Sequence, residues 1–147
     1  LLAQPVSHPG PTVGYRVSEG DRSVAYIPDH EPAFVADLFT VPPEWLSGYD
    51  LAHGVDVLLH DSQYEVDEYP ARLGWGHSSV EQAVAFARIS GVRQLVMFHH
   101  DPDHDDERLE ILCKQARELW GANGEPPLLA HEGMEFEVLD PRFRVRG

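Results

Sequence analysis

A single cysteine, Cys113, occurs in the 147 residues, so the chain holds no internal disulfide. Its place in an apolar-periodic stretch gives it a core-packing role. Basic residues are also scarce. Eleven Lys and Arg stand against 25 Asp and Glu, a formal charge of −14. That balance argues against a broad surface for gripping nucleic-acid backbones, which requires clustered cations that displace counterions. No apolar run nears the ~18 residues of a membrane span. Nor does the chain open with a basic segment followed by an apolar one. It begins Leu1-Leu2 without a methionine, so a natural N-terminus is not assured. The lone thiol is compatible with a reducing compartment, and a cytoplasmic location is the expectation. Repeats and low-complexity stretches are absent. What is present is a globular composition, 42% apolar and 10% aromatic, with nine histidines. The length suits one compact unit over 1–147.

Thr12 to Ser18 and Arg22 to Ile27 are β-rich runs separated by Glu19-Gly20-Asp21, which predicts a hairpin. Residues 31 to 54 form a proline-punctuated excursion with a short helix expected near Pro43 to Leu51. Val55 to Leu59 reads as a buried strand delivering His60-Asp61 at its end. A polar loop from Gln63 to Gly76 follows. Ser78-x-x-Glu81 then reads as a capping box opening a helix whose inner positions are Val80, Ala83, Val84 and Ala87, stopped by Gly91. Gln94 to Phe98 is the next strand, ending at His99-His100. A second helix places Leu109, Leu112, Cys113, Ala116, Leu119 and Trp120 inward and ends at Gly121. Leu128 to Ala130 and Glu135 to Leu139 are expected as short strands. The pattern is α/β without a second domain.

Four segments place His or Asp beside a predicted strand: His8 ahead of the first, Asp29 after the second, His60-Asp61, and His99-His100. Loops at strand ends are where α/β proteins build sites, because rigid strands fix position while loop side chains stay free to reach a ligand. Imidazoles and carboxylates converging there form a donor set for zinc or manganese. Taken singly, each is more often a surface or hydrogen-bonded residue. Asp101, His104, Asp105 and Asp106 also form a metal-like cluster, but a helix start that favours acids explains it better.

The run His8-Pro9-Gly10-Pro11-Thr12-Val13-Gly14-Tyr15-Arg16-Val17, with Ala25-Tyr26-Ile27-Pro28-Asp29-His30-Glu31-Pro32 after the hairpin, resembles the later part of metallo-β-lactamase-superfamily hydrolases. Leu59-His60-Asp61-Ser62 and Gly76-His77-Ser78-Ser79 resemble the His-Glu-Ala-Thr and Gly-His-Ser-Thr segments of the ribonuclease Z and phosphodiesterase branch. Leu95 to His99 resembles its last strand with a terminal metal histidine. The family's signature His-x-His-x-Asp-His is missing. It belongs upstream of His8, so the resemblance implies the C-terminal part of a longer protein, the second half of an αββα sandwich.

The resemblance further implies two divalent metal ions, zinc first and manganese as the alternative, with His8 on one, Asp29 bridging both and His99 on the second. Such a pair activates a hydroxide to attack phosphorus or a carbonyl carbon. His77 takes the place of the catalytic histidine that gives a proton or hydrogen bond to a scissile phosphate. Asp61 would orient His77. His100 rivals His99, since neighbours at a strand end point to opposite sides. His30 and His60, next to these residues, are expected to support them from behind. The implied function is a phosphodiester-cleaving metal hydrolase. The acidic balance favours a small phosphodiester or nucleotide-like substrate over structured RNA. No membrane partner is expected, a homo-oligomer is compatible, and the site needs the missing first half. The rivals are a thioester, lactone or lactam hydrolase of the same superfamily, and a binding or regulatory module that has lost its chemistry.

Overall fold

A computed structural model describes residues 1–122, 124–138 and 143–146; side chains are described through 138, except at 123. Its main sheet has six strands in the order β1 (Leu2–Pro5), β2 (Val13–Glu19), β3 (Arg22–Ile27), β4 (Val57–Asp61), β5 (Gln94–Phe98) and β6 (Leu128–Leu129). The first three pair antiparallel and the rest parallel. A separate hairpin joins β7 (Glu135–Val138) to β8 (Phe143–Arg146). Leu139, expected to continue β7, lies outside the described residues. The helices are α1 (Tyr49–Ala52), α2 (Val80–Ile89) and α3 (Asp106–Trp120).

The predicted hairpin forms, with Glu19 opposite Arg22 and a two-residue loop in which Gly20 takes φ 59°. Positive φ costs glycine nothing, which is why the turn can be this tight. β1 was not anticipated, and His8 therefore lies between two strands rather than ahead of the first. Strand pleating sends Ala25, Ile27, Leu58, Leu95 and Met97 to one face, where they pack with Val80, Val84, Phe86, Leu112 and Trp120. On the opposite face of β2 and β3, Tyr15 pairs with Tyr26 and Val17 with Val24, and Tyr15, Val17 and Tyr26 are exposed. One face of the sheet is thus covered by helices while the antiparallel end of the other presents apolar side chains.

Several boundaries differ from expectation. β4 runs two residues later than predicted, so His60 and Asp61 belong to the strand and are wholly buried. Pairing with β5 extends as far as Asp61 opposite Phe98, which carries these polar residues inside. The helix cap moves too. Ser79, not Ser78, accepts from Gln82 N at 3.2 Å at the start of α2. The hydroxyl of Ser78 instead donates to the His30 carbonyl at 2.7 Å. Leu119 is exposed because Leu112, Cys113, Ala116 and Trp120 already fill the inner face of α3. Between residues 31 and 54 only short turns and α1 form, leaving Phe34, Phe39 and Trp45 exposed. Among the described residues, no helix is long and apolar enough to cross a membrane.

Behind the sheet's C-terminal edge lies a histidine pair. His60 Nδ1 is 2.6 Å from the Asp61 carbonyl and its Nε2 is 2.8 Å from His30 Nδ1. In the neutral arrangement His60 donates from Nδ1 and accepts from His30 at Nε2. Burial is the main cause of a low His60 pKa, about 4, and burial with the neighbouring His60 holds His30 well below the usual histidine range.

Two outcomes follow. Ser79→Ala removes the α2 cap and is expected to lower unfolding free energy by about 1 kcal/mol in urea titrations, while Ser90→Ala, past the helix end, caps no N–H. The histidine pair gives a signed pH dependence. Above pH 6.5 both are neutral whether folded or unfolded. As pH falls from 6.5 towards about 4 the unfolded chain takes up protons that folded His60 does not, so stability drops across that window. His60→Gln should flatten the stability–pH slope there; an unchanged slope would remove His60 as its source.

Candidate metal centre

Five side chains from five segments meet at the C-terminal ends of β3, β4 and β5. His8 comes from the β1–β2 connection, Asp29 from just after β3, Asp61 from the last position of β4, His77 from the loop before α2, and His99 from just after β5. The C-terminal edge of parallel strands is the usual place for an α/β site, since each strand there releases its chain into a loop. Donor atoms of Asp29, Asp61, His77 and His99 all lie within 4.8 Å of one another. The structure thus brings four of the five predicted residues into one group.

Asp61 organises the group. Its Oδ1 accepts from Gln63 N at 3.1 Å and Ser78 N at 3.3 Å, and its Oδ2 from His30 N at 3.1 Å. His77 Nδ1 lies 2.6 Å from the same Oδ2. Burial pushes the Asp61 carboxyl up, while the hydrogen bond and charge of His77 and the His30 N–H oppose it. Burial pulls the His77 imidazole down, but the Asp61 hydrogen bond and charge outweigh it, helped by Asp29 and Glu31, and the net direction is up. Three backbone N–H groups stabilise Asp61 as a carboxylate, and its charge holds the His77 proton. The pair makes His77 Nδ1 the donor to Asp61, which leaves Nε2 as the nitrogen for chemistry.

His99 Nε2 lies 2.9 Å from Asp29 Oδ1. Its backbone has φ 58°, and His99 is the one non-glycine residue with positive φ among the described residues. Left-handed backbone costs a side-chain-bearing residue on the order of 1 kcal/mol and concentrates at functional sites. This turn aims His99 at Asp29 and sends His100 the other way, its Nε2 3.4 Å from the Ala130 carbonyl. The His77 ring stands 4.9 Å from that of His99 and 5.3 Å from that of His8. His8 completes the rim. Its Nδ1 accepts from Gly10 N at 3.0 Å and lies 3.0 Å from Thr12 Oγ1, which donates to the Gly10 carbonyl at 3.2 Å.

Glu31 had no assigned role, and the structure gives it one. It is fully buried and accepts from Tyr69 Oη at 2.7 Å and from Gly74 N and Gly76 N at 2.9 Å each. These bonds hold the 69–76 loop that leads into His77. No local pattern marks this role, because its partners lie more than 35 residues away. His30 and His60, expected as supports, bond each other, and His30 reaches the centre through its backbone N–H to Asp61.

A family model described as "Beta-lactamase superfamily domain" matches residues 3–100. The chain belongs to the β-lactamase superfamily. Within it, ribonuclease BN of Escherichia coli K12 is 30% identical over 109 residues, covering 74% of this chain and 34% of that protein. The chain therefore spans about a third of the length of the curated relatives it matches. Among solved structures, the metallo-β-lactamase fold protein YhfI from Bacillus subtilis matches with TM-score 0.65 and 19% identity, over 89% of this chain and 46% of that one. The short form of human tRNase Z matches with TM-score 0.55 and 24% identity, over 68% and 35%. A diphosphatase of the PhnP family gives 0.57 and 21%, over 93% and 43%. These structural likenesses establish the metallo-β-lactamase fold.

Gly76 provides a direct test of this packing. At φ 93° a Cβ there would stand 2.4 Å from both His8 Cδ2 and Pro9 Cδ. Gly76→Ala is expected to cost about 2 kcal/mol or more in chemical denaturation, from left-handed strain plus overlap. It should also displace His8 from His77. An alanine variant of wild-type stability would show that the two loops do not meet this closely.

Proposed function

We propose that this chain is the C-terminal part of a metal-dependent phosphodiester hydrolase, with His77 as the group that gives a proton or hydrogen bond to the substrate. The observation that carries the reading is the 2.6 Å contact between His77 Nδ1 and the buried Asp61 carboxylate. It sets the tautomer and direction of an imidazole at the mouth of the centre, as a general acid requires.

The donor set fits divalent metal ions, zinc first and manganese second. It mixes imidazole nitrogen with carboxylate oxygen inside a 4.8 Å group, the chemistry such ions prefer. His8, Asp29 and His99 would hold two ions, with the two oxygens of Asp29 suited to bridging. His8 Nδ1 accepts from Gly10 N, so the neutral ring carries its proton on Nε2, and an ion bound there would displace it. Asp61 falls within the same group, but it is wholly buried and its Oδ2 holds His77 Nδ1 at 2.6 Å, so it acts as the positioning residue. Bound there, the ions supply Lewis acidity and an activated water.

The remaining ligands are proposed to come from a segment preceding His8. The exposed apolar row of Val17, Tyr15 and Tyr26 suits packing against the other half of the sandwich. Relatives named as a ribonuclease and a diphosphatase favour phosphate chemistry. The charge of −14 favours a small phosphodiester over structured RNA.

In the full-length protein, His77→Ala should lower hydrolysis of bis(4-nitrophenyl) phosphate by roughly 10²- to 10⁴-fold, the usual weight of a positioned acid. Bound metal, counted by elemental analysis, should stay unchanged. Loss of metal together with the imidazole would make His77 a ligand instead. Full activity without it, or turnover of a thioester or lactone alone, would favour the carbonyl-directed reading.

A further inference from the structure

A second group of metal-competent donors lies away from the centre just described. Glu65 and Glu68 sit in the loop between β4 and α2, His104 in the connection from β5 to α3, and donor atoms of all three lie within 4.8 Å of one another. Asp105, which the sequence suggested as part of a cluster with His104, caps α3 by accepting from Arg108 N at 2.8 Å. His104 turns the other way, towards the two glutamates.

The state of the His104 ring is the informative observation. Its side chain is only 7% exposed, and neither ring nitrogen makes a hydrogen bond, although Nε2 lies 3.2 Å from Glu68 Oε2 and 3.6 Å from Glu65 Oε1. A buried imidazolium paired with carboxylates would aim an N–H along one of those lines. Ligands on a tetrahedral ion behave otherwise. With zinc bonds of about 2.0–2.2 Å, neighbouring donors stand roughly 3.3 Å apart, and each lone pair points at the ion between them. Spacing of 3.2 and 3.6 Å without hydrogen-bond alignment matches that pattern.

The surroundings hold the carboxylates in place. Arg108 pairs with both oxygens of Glu65. Glu68 Oε2 accepts from Glu65 N at 3.0 Å, and Arg72 Nη1 approaches Glu68 Oε1 at 3.7 Å. Outer contacts of this type orient metal-binding carboxylates.

We propose that Glu65, Glu68 and His104 form a separate structural site for one divalent cation, zinc by its donor set, with solvent filling the fourth position. It clips the loop that carries His77 to the start of α3. The proposal does not depend on the chemistry assigned to the first centre.

The test uses full-length protein stripped with a chelator, reloaded with excess zinc, freed of unbound ion and analysed for bound zinc. Glu68→Ala and His104→Gln should each lower the count by one equivalent. They should do so again in an Asp29→Asn background, where the first centre is impaired. In that background zinc should raise the thermal midpoint, and adding Glu68→Ala should abolish the rise. An unchanged zinc count in the Glu68→Ala protein overturns the site and leaves an ion-pair cluster. Glu68 is the more exposed ligand, so its variant decides the matter even where His104→Gln does not fold.

Discussion

The candidate centre depends on one fully buried carboxylate. Asp61 ends the strand β4 and binds the backbone of His30 from the preceding crossover, of Gln63 from its own exit, and of Ser78 at the start of α2. Leaving such a group unpaired inside a protein costs several kcal/mol, so its N–H partners contribute to stability as well as to geometry. The bonds that close the β4 edge are the ones that shape the site. The position of His77 follows, since its ring is held by the same oxygen that takes the His30 N–H.

Glu31 repeats this logic one layer out. Its carboxylate is buried and takes two glycine N–H groups and one tyrosine hydroxyl, which fixes a loop with little regular structure of its own. Gly76 at the end of that loop lets the chain pass against His8, where a side chain would not fit. Strand ends supply Asp29, Asp61 and His99, while buried acids tie the looser segment carrying His77 to them and Gly76 in that segment packs against His8. Among the described residues His99 alone outside glycine bears a left-handed φ, whose return is an imidazole turned to Asp29.

How much of this was legible in the sequence depended on range. Strand alternation and helix periodicity gave β2, β3, β5, α2 and α3, because those signals arise from a residue's own neighbours. The strand β1 was missed: four residues with a proline make a weak pattern, and its partner β2 defines it. The cap slipped from Ser79 to Ser78 because Ser-Ser offers two equivalent candidates, and only the His30 carbonyl, 48 residues away, claims one. The resemblance placed His8, Asp29, Asp61, His77 and His99 together, which spacing alone does not. Glu31, and the turn of His104 towards Glu65 and Glu68, rest on contacts across long separations and carried no local mark.

Electrostatics connect the two parts of the functional proposal. The charges that raise His77 come from Asp61, Asp29 and Glu31, so the field at its ring is set by carboxylates. Such a field favours cations and a protonated imidazole, and it repels an anion. A phosphodiester carries a negative charge, and this chain, at −14, has few basic groups with which to compensate. At a few ångströms in a partly buried site each uncompensated carboxylate opposes the substrate by some kcal/mol. Divalent ions on Asp29 and the rim histidines would reverse the sign of that field, so a phosphodiester reading without metal is internally inconsistent. A neutral lactone or thioester faces no such barrier, so dependence of substrate binding on metal, apart from turnover, is the physical property that separates the two readings.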